Sequence, residues 1–360
     1  MIEKLHLKNF TCFADSEFEF SEGINVFIGE NGTGKTHLLK VLLWQLFYFK
    51  KGRNDGADIG TEGAWPLMAI MGTDNVDSLR RDKNNSYEIS LSIDGKSSLL
   101  GKGLWGDHLY GDSSEVAEKE FPYDISREVE RKHFFYFPSK EILSFFKGFS
   151  ALYKRRELDF DYTYQLLAES LELPPLKKDY AEKLGLPTFV TELEEIIGGQ
   201  VINENGRFYI KTGDSKTEIN LVAEGWRKIA TLIYLILNGE LELSKNMVLL
   251  IDEPEANLNP KLISVMAKFL VKLANRGVQI FVATHSYLLA NYLSLYNEYK
   301  EVQTETVPEI TFFGLSKNAE GIEVETSDSF TGLSSNAILE EYAAFLDLEN
   351  QFIRQQMKVK

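Results

Sequence analysis

The run Gly29-Glu30-Asn31-Gly32-Thr33-Gly34-Lys35-Thr36 constrains this chain more than any other stretch, because it satisfies G-x-x-x-x-G-K-[ST] in full. An apolar strand at 25–28 precedes it. Residues 36–49, THLLKVLLWQLFYF, follow with the length and apolar density of a buried helix. Strand, glycine loop and helix in that order make an anion cradle: the glycines let backbone N–H groups wrap phosphates, and the helix turns its positive dipole end toward them. Within the cradle Asn31, Gly32, Thr33 and Gly34 form the wrapping loop, Lys35 reaches the β- and γ-phosphates, and Thr36 ligates Mg²⁺. ATP with Mg²⁺ is the expected occupant.

A second constellation completes such a site. Met247-Val248-Leu249-Leu250-Ile251-Asp252-Glu253 reads as a buried strand that delivers two carboxylates at its C-terminal end, where the crevice of an open α/β sheet binds ligands. Asp252 is expected to hold Mg²⁺ through its water shell, and Glu253 to orient or deprotonate an attacking water. One strand-helix-strand unit further on, a strand at 278–283 runs into Thr284-His285-Ser286. That puts His285 at the same sheet edge, where a neutral imidazole can hydrogen-bond the γ-phosphate or the water.

The pattern between these motifs sets the domain organisation. Strands are expected at 2–10, 17–20, 24–28, 87–93 and 133–137, and an Asn205-Gly206 hairpin at 200–210. Residues 51–85 carry scattered glycines and no sustained period, as an insertion would. From 142 to 197 the period is helical but broken by Pro174-Pro175 and Pro187, which gives several short helices and no long coiled coil. Helix at 225–237, strand at 247–251, helix at 260–275 and strand at 278–283 alternate as a parallel sheet flanked by helices. Strands near 310–315 and 322–325 and a helix over 336–355 close the chain. The expected division is a core of 1–50 and 219–330, an insertion or helical lobe with peripheral strands at 51–218, and a C-terminal helix at 331–360.

With these residues in view, the chain resembles a known class. Leu7-Lys8-Asn9-Phe10 followed by Ile24-Asn25-Val26-Phe27-Ile28-Gly29-Glu30-Asn31-Gly32 looks like the start of RecF, SMC and OLD-type ATPases, and Asp252-Glu253-Pro254-Glu255-Ala256-Asn257-Leu258-Asn259-Pro260 resembles the Walker B and D-loop of the OLD-like branch. The resemblance covers about residues 1–50 and 219–300, with a local likeness at Phe137-Pro138-Ser139-Lys140-Glu141. It implies an α/β ABC-type ATPase head: a mainly parallel central sheet, an antiparallel N-terminal strand layer and a mixed, mostly helical middle insertion. It also implies a head-to-tail homodimer with ATP in the interface, in which a signature loop of one subunit caps the γ-phosphate held by the other. Val222-Ala223-Glu224-Gly225-Trp226 stands in that place, with Ala223 where relatives carry Ser, and Gly225 opens a helix able to approach an anion closely. Asn257 and Asn259 stand where OLD-like proteins often carry His. Phe10 and Phe13 are equally readable as an adenine stack or as core.

Composition separates the functions that share such an engine. Among 360 residues, 44% are hydrophobic and 26% charged, which suits a folded chain, and the single Cys12 excludes a disulfide framework or a Cys-rich metal hook. No apolar run approaches the length of a membrane span, so a cytoplasmic protein with no membrane partner is expected. Neither an LSGGQ signature nor a transporter-type Walker B sequence is present, and no metal-binding TOPRIM nuclease domain is expected, the stretch after His285 being too short for one. A net charge of −15 disfavours broad DNA binding, although Arg80-Arg81-Asp82-Lys83 and Lys154-Arg155-Arg156 are local basic clusters. The preferred reading is a regulatory ATPase acting on a protein effector, in antiviral defence by resemblance to stand-alone OLD-like ATPases. A DNA-repair ATPase that binds DNA directly is the alternative. The stripe Ile338, Tyr342, Phe345 and Phe352 on the last helix is expected to face the core more readily than a partner.

Overall fold

A computed structural model describes residues 1–51, 64–83, 85, 87–100, 132–303 and 306–359. The chain opens with β1 (Ile2–Phe10), β2 (Phe13–Glu19) and β3 (Ile24–Gly29), enters helix α1 (Lys35–Lys51) and α2 (Ala64–Met71), and returns as β4 (Glu88–Ile93), β5 (Lys96–Leu100) and β6 (His133–Phe137). A helical lobe follows: α3 (Phe149–Lys154), α4 (Tyr162–Glu172), α5 (Lys178–Lys183) and α6 (Leu186–Ile197), then the strands β7 (Gln200–Glu204), β8 (Arg207–Thr212) and β9 (Ser215–Glu218). The last third alternates α7 (Glu224–Leu237), β10 (Met247–Asp252), α8 (Pro260–Ala274), β11 (Gln279–Thr284) and α9 (Tyr287–Glu298). It ends in β12 (Ile310–Asn318), β13 (Gly321–Ser327) and α10 (Ala337–Val359).

The central sheet has the order β13-β12-β3-β11-β10-β6, parallel throughout except for β13 at one edge. Both faces are covered, which is why its strands read as continuous apolar runs rather than alternating ones. Ile24, Val26, Ile28, Leu249, Ile251, Ile280 and Val282 enter one core, shared with α7, α8 and the helical lobe. Phe27, Val248, Leu250, Phe281 and Ala283 enter the other, shared with α1 and the antiparallel sheet β2-β1-β4-β5. Helix α1 is buried on every side from Leu38 to Leu46, Lys40 and Gln45 included. Phe18 and Phe20 of the N-terminal layer meet Phe27, Phe281 and Phe313 of the central sheet at ring separations of 4.9–6.2 Å. Two buried amides tie the layers together. Gln279 accepts from Ile2 N at 2.8 Å and donates to Ile2 O and Ser21 O, and Asn25 accepts from Ser21 N at 2.8 Å.

Three expectations change. The 51–218 segment is not a purely peripheral insertion: its β6 is an edge strand of the central sheet, paired in parallel with β10, and β4 and β5 extend the N-terminal sheet. The strand at 133–137, stopped by Pro138, is expected from the sequence, but nothing in that sequence names β10 as its partner. Within 51–85, expected to lack regular structure, the described part holds α2 and a short 3₁₀ turn at Val76–Leu79; residues 52–63 lie outside the described residues. The apolar stripe of α10 faces outward. Ile338 and Leu339 touch the core and Tyr342 stacks on Tyr287 at 4.1 Å, but Tyr342, Phe345 and Phe352 are 48%, 61% and 59% exposed, because the helix leaves the body after its first turns.

The helical lobe is pinned to α1 by one buried ion pair. Lys40 Nζ lies 2.8 Å from Asp161 Oδ2, with side chains only 11% and 17% exposed, and Asp161 also caps α4 by accepting from Thr163 N at 2.9 Å. Asp161→Ala strands a buried ammonium and removes the cap, so it should lower unfolding free energy by about 3–5 kcal/mol. Urea titration reads this directly, and Asp161→Asn, which keeps a capping oxygen, should lose less.

Candidate nucleotide site

Strands β3, β11 and β10 lie side by side and parallel, so their C-terminal ends share one edge. Thr284 pairs with Ile28 and Asp252 with Ala283, which brings the glycine loop, the carboxylates and His285 together from three distant parts of the chain. The loop is wedged against the N-terminal layer. At Gly34, with φ +90°, a Cβ would come within 2.4 Å of Cys12 Sγ and 2.8 Å of the Phe13 ring, so no larger residue fits there. Lys317, at the end of β12, donates to Asn31 O at 3.1 Å.

Lys35 is almost buried and its ammonium donates to Gly29 O at 2.7 Å and Glu30 O at 2.9 Å. Burial lowers its pKa, opposed by the carboxylates of Glu253 and Asp252. Thr36 Oγ1 donates to the Asp252 carboxylate, at 3.0 and 3.1 Å from its two oxygens, and the Tyr136 hydroxyl reaches Asp252 Oδ2 at 3.5 Å. Burial pushes the Asp252 pKa up to about 6. A hydroxyl and a carboxylate side by side below a phosphate cradle are the hard-oxygen donors that Mg²⁺ takes, so these residues fit Mg-ATP.

Glu253 follows with φ +46°, a left-handed conformation uncommon outside glycine, while its N–H still donates to Ala283 O at 2.8 Å. Its carboxylate Oε1 stands 3.1 Å from Nδ1 of His285, which is half-exposed. Glu255 is buried and accepts the Thr284 hydroxyl at 2.6 Å and the His285 N–H at 3.3 Å, so it fixes the turn that presents the imidazole.

The signature segment forms the start of α7. Ala223 is the N-cap of α7, exposed and without a side-chain cap; Glu224 is exposed and accepts from Asn257 Nδ2 at 2.7 Å. The side of Gly225 that would carry a Cβ turns inward. A Cβ there would meet Asn257 O at 2.9 Å and the Leu258 side chain at 3.2 Å, so the glycine is required by the chain's own D-loop, and the outward N-terminus consists of Ala223 and Glu224. Asn259 caps α8, and Asn257 holds a φ of +64°.

Other sequence readings resolve by burial and pairing. Phe10 and Phe13 are both 0% exposed, core rings rather than an adenine stack. Arg80 pairs with Asp77 at 3.5 Å and Arg81 donates to Cys12 O at 3.1 Å, so this basic cluster braces the β1–β2 turn. Among the described residues no group of three or more His, Cys, Asp or Glu side chains could hold a metal ion. Tyr136, Glu255 and Lys228 are residues that motif reading missed. Only Lys228 left a signal: a lysine on the apolar face of α7, in step with Gly225, Ile229 and Leu232.

Comparison with known proteins points the same way. The sequence profile of a family described as an AAA domain matches residues 4–186, and that of an AAA ATPase domain matches residues 157–290. The chain is similar to the DNA repair protein RecN of Aquifex aeolicus, 26% identical over 318 residues that cover 86% of this chain and 53% of RecN. It is also similar to the DNA double-strand break repair Rad50 ATPase of Archaeoglobus fulgidus, 31% identical over 107 residues, 29% of this chain and 11% of that protein. The chain thus spans about half the length of RecN and about a tenth of Rad50. In fold it is similar to an Smc head crystallised with the C-winged helix domain of ScpA, with a TM-score of 0.51, 16% identity, and coverage of 92% of this chain and 98% of that one.

Two measurements check the site. The folded pKa of Asp252, about 6, stands above the ordinary 3.8, so burying its charge costs stability above pH 6, and that cost disappears as pH falls through 6 toward 4. In metal-free protein Asp252→Asn should therefore be more stable than wild type at pH 8, by up to roughly 3 kcal/mol, and the gap should close near pH 4 in thermal melts. His285→Ala should keep nucleotide affinity but slow turnover by about 10-fold or more, in a steady-state phosphate-release assay.

Proposed function

The chain belongs to the AAA-domain family, as a RecF/SMC-like ABC-type P-loop ATPase, and from that membership we propose that it hydrolyses Mg-ATP as a nucleotide-gated homodimer controlling a partner protein. One observation carries this reading: Thr36 hydrogen-bonded to Asp252, and Glu253 set 3.1 Å from His285, both at the mouth of the Lys35 loop on a single sheet edge. In it, the loop and Lys35 would bind the phosphates, and Thr36 and Asp252 would hold the metal. Bound Mg²⁺ neutralises phosphate charge. Glu253 accepts a proton from the attacking water, and His285 orients that carboxylate and faces the γ-phosphate.

The dimer is supported by the N-terminus of α7. Its first N–H groups lack a side-chain cap at Ala223, and Ala223 and Glu224 are exposed, which leaves an anion-binding helix end free for a phosphate held by a second copy. A protein partner is supported by the outward apolar stripe of α10 and by the net charge of −15. An effector of the antiviral kind is what the OLD-like resemblance suggests. Direct action on DNA is the second reading, favoured by the repair functions in the names of RecN, Rad50 and RecF. A gel shift that weakens steeply with salt would select it over regulation of a protein.

The dimer has its own test. Glu253→Gln keeps shape but removes the base, so the ATP state should persist and light scattering should report a doubled mass with Mg-ATP, and a single mass with ADP or without nucleotide. Adding Ala223→Glu, an exposed change that sets an anion against the partner's phosphate, should restore the single mass. A mass unchanged by nucleotide in Glu253→Gln would sink the nucleotide-gated dimer.

A further inference from the structure

Lys228 is 2% exposed, the lysine most deeply withdrawn from water in the described chain. It lies one turn into α7, directly behind the signature residues, on the face that otherwise carries Gly225, Ile229 and Leu232. Packing alone is served there by an aliphatic side chain, since burying an ammonium is costly unless its donors are used. They are used. Nζ donates to Glu253 O at 2.5 Å and Ser139 O at 3.1 Å, and stands 6.0 Å from the centre of the Phe137 ring. The carboxylates of Glu255, Glu253, Asp252 and Glu224 surround it and favour its charge against the desolvation that lowers its pKa to about 8.

We propose that Lys228 is a positioning residue for Glu253, holding the carbonyl of that residue so that its carboxylate aims at the reacting phosphate, and coupling the aim to the signature end of α7. The left-handed backbone at Glu253 is strained in a non-glycine residue, so something must hold it. A charged donor on the carbonyl fixes the Glu253–Pro254 peptide plane and with it the direction of the Glu253 side chain. The neighbouring residue grips the same loop: Arg227 Nε lies 2.9 Å from Glu141, which is buried and also accepts from the Ser144 hydroxyl at 2.7 Å. Consecutive residues of α7 thus hold Ser139, Glu141 and Glu253. A displacement of Ala223 and Glu224 by a second subunit's phosphate reaches the carboxylate through one helical turn and one hydrogen bond.

This inference rests on the proposed role of Glu253, and the two can fail separately. Steady-state ATP hydrolysis and equilibrium binding of a fluorescent ATP analogue are measured for Lys228→Met, Glu253→Gln and the double variant. Lys228→Met should lower kcat by about 10- to 100-fold while KM and analogue affinity move less than about threefold. Added to Glu253→Gln it should cost no more than about twofold further, because the group through which it acts is gone. Lys228→Arg, which keeps a charged donor, should recover part of kcat. If Lys228→Met loses its cooperative thermal melt, Lys228→Gln, which retains one donor, takes its place in the same comparison. Wild-type kcat in the lysine variant beside an inactive Glu253→Gln overturns this inference alone, as does a loss that multiplies in the double variant. Wild-type kcat in Glu253→Gln overturns the role of Glu253 and this inference with it.

Discussion

Parallel pairing of β3, β11 and β10 is the constraint on which the rest depends. The loop before α1, the carboxylates after β10 and the imidazole after β11 are far apart in sequence and meet only because three buried strands end together. Each of these strands divides its side chains between two cores, so a slip of one residue would exchange the Leu249 and Leu250 faces and misplace Asp252 as well. Glu253 continues the ladder by one bond, to Ala283 O, before its backbone turns left-handed. Precision at the sheet edge is thus inherited from packing well below it.

The N-terminal antiparallel layer serves that edge too. Its aromatic face, Phe18 and Phe20, packs on Phe27, Phe281 and Phe313, and its first turn puts Cys12 and Phe13 against Gly34. Helix α1 is therefore enclosed between two sheets from its first turn, and the loop in front of it touches both Lys317 and the β1–β2 turn. Electrostatically the edge is an acidic cluster, Asp252, Glu253 and Glu255, set against two buried ammonium groups, Lys35 and Lys228, whose pKa values burial lowers.

The local motifs were legible in the sequence because their chemistry is contiguous: the glycine loop, the strand that ends in Asp252, and the turn at His285 each carry their own context. The alternation of the last third likewise announced a parallel sheet. What stayed hidden depends on partners distant in sequence. Tyr136 matters because β6 pairs with β10, and although the strand at 133–137 was legible, its partner was not. Gly225 was legible as a helix-opening glycine, but the crowding that requires a glycine there comes from the Asn257 carbonyl, which belongs to another segment. Periodicity found the stripe on α10 but not its direction, since an amphipathic helix looks the same whether its apolar face meets its own core or is left outside.

The contact between Gly225 and the Asn257 carbonyl also bears on how such chains diverge. A side chain at 225 and the path of the backbone at 257 cannot be altered independently, because each fills the space the other would need. The two segments should accordingly travel through evolution as a pair. A chimera that imports the signature loop of a relative without its D-loop would begin with a steric collision inside one subunit, before any question of compatibility between subunits arises.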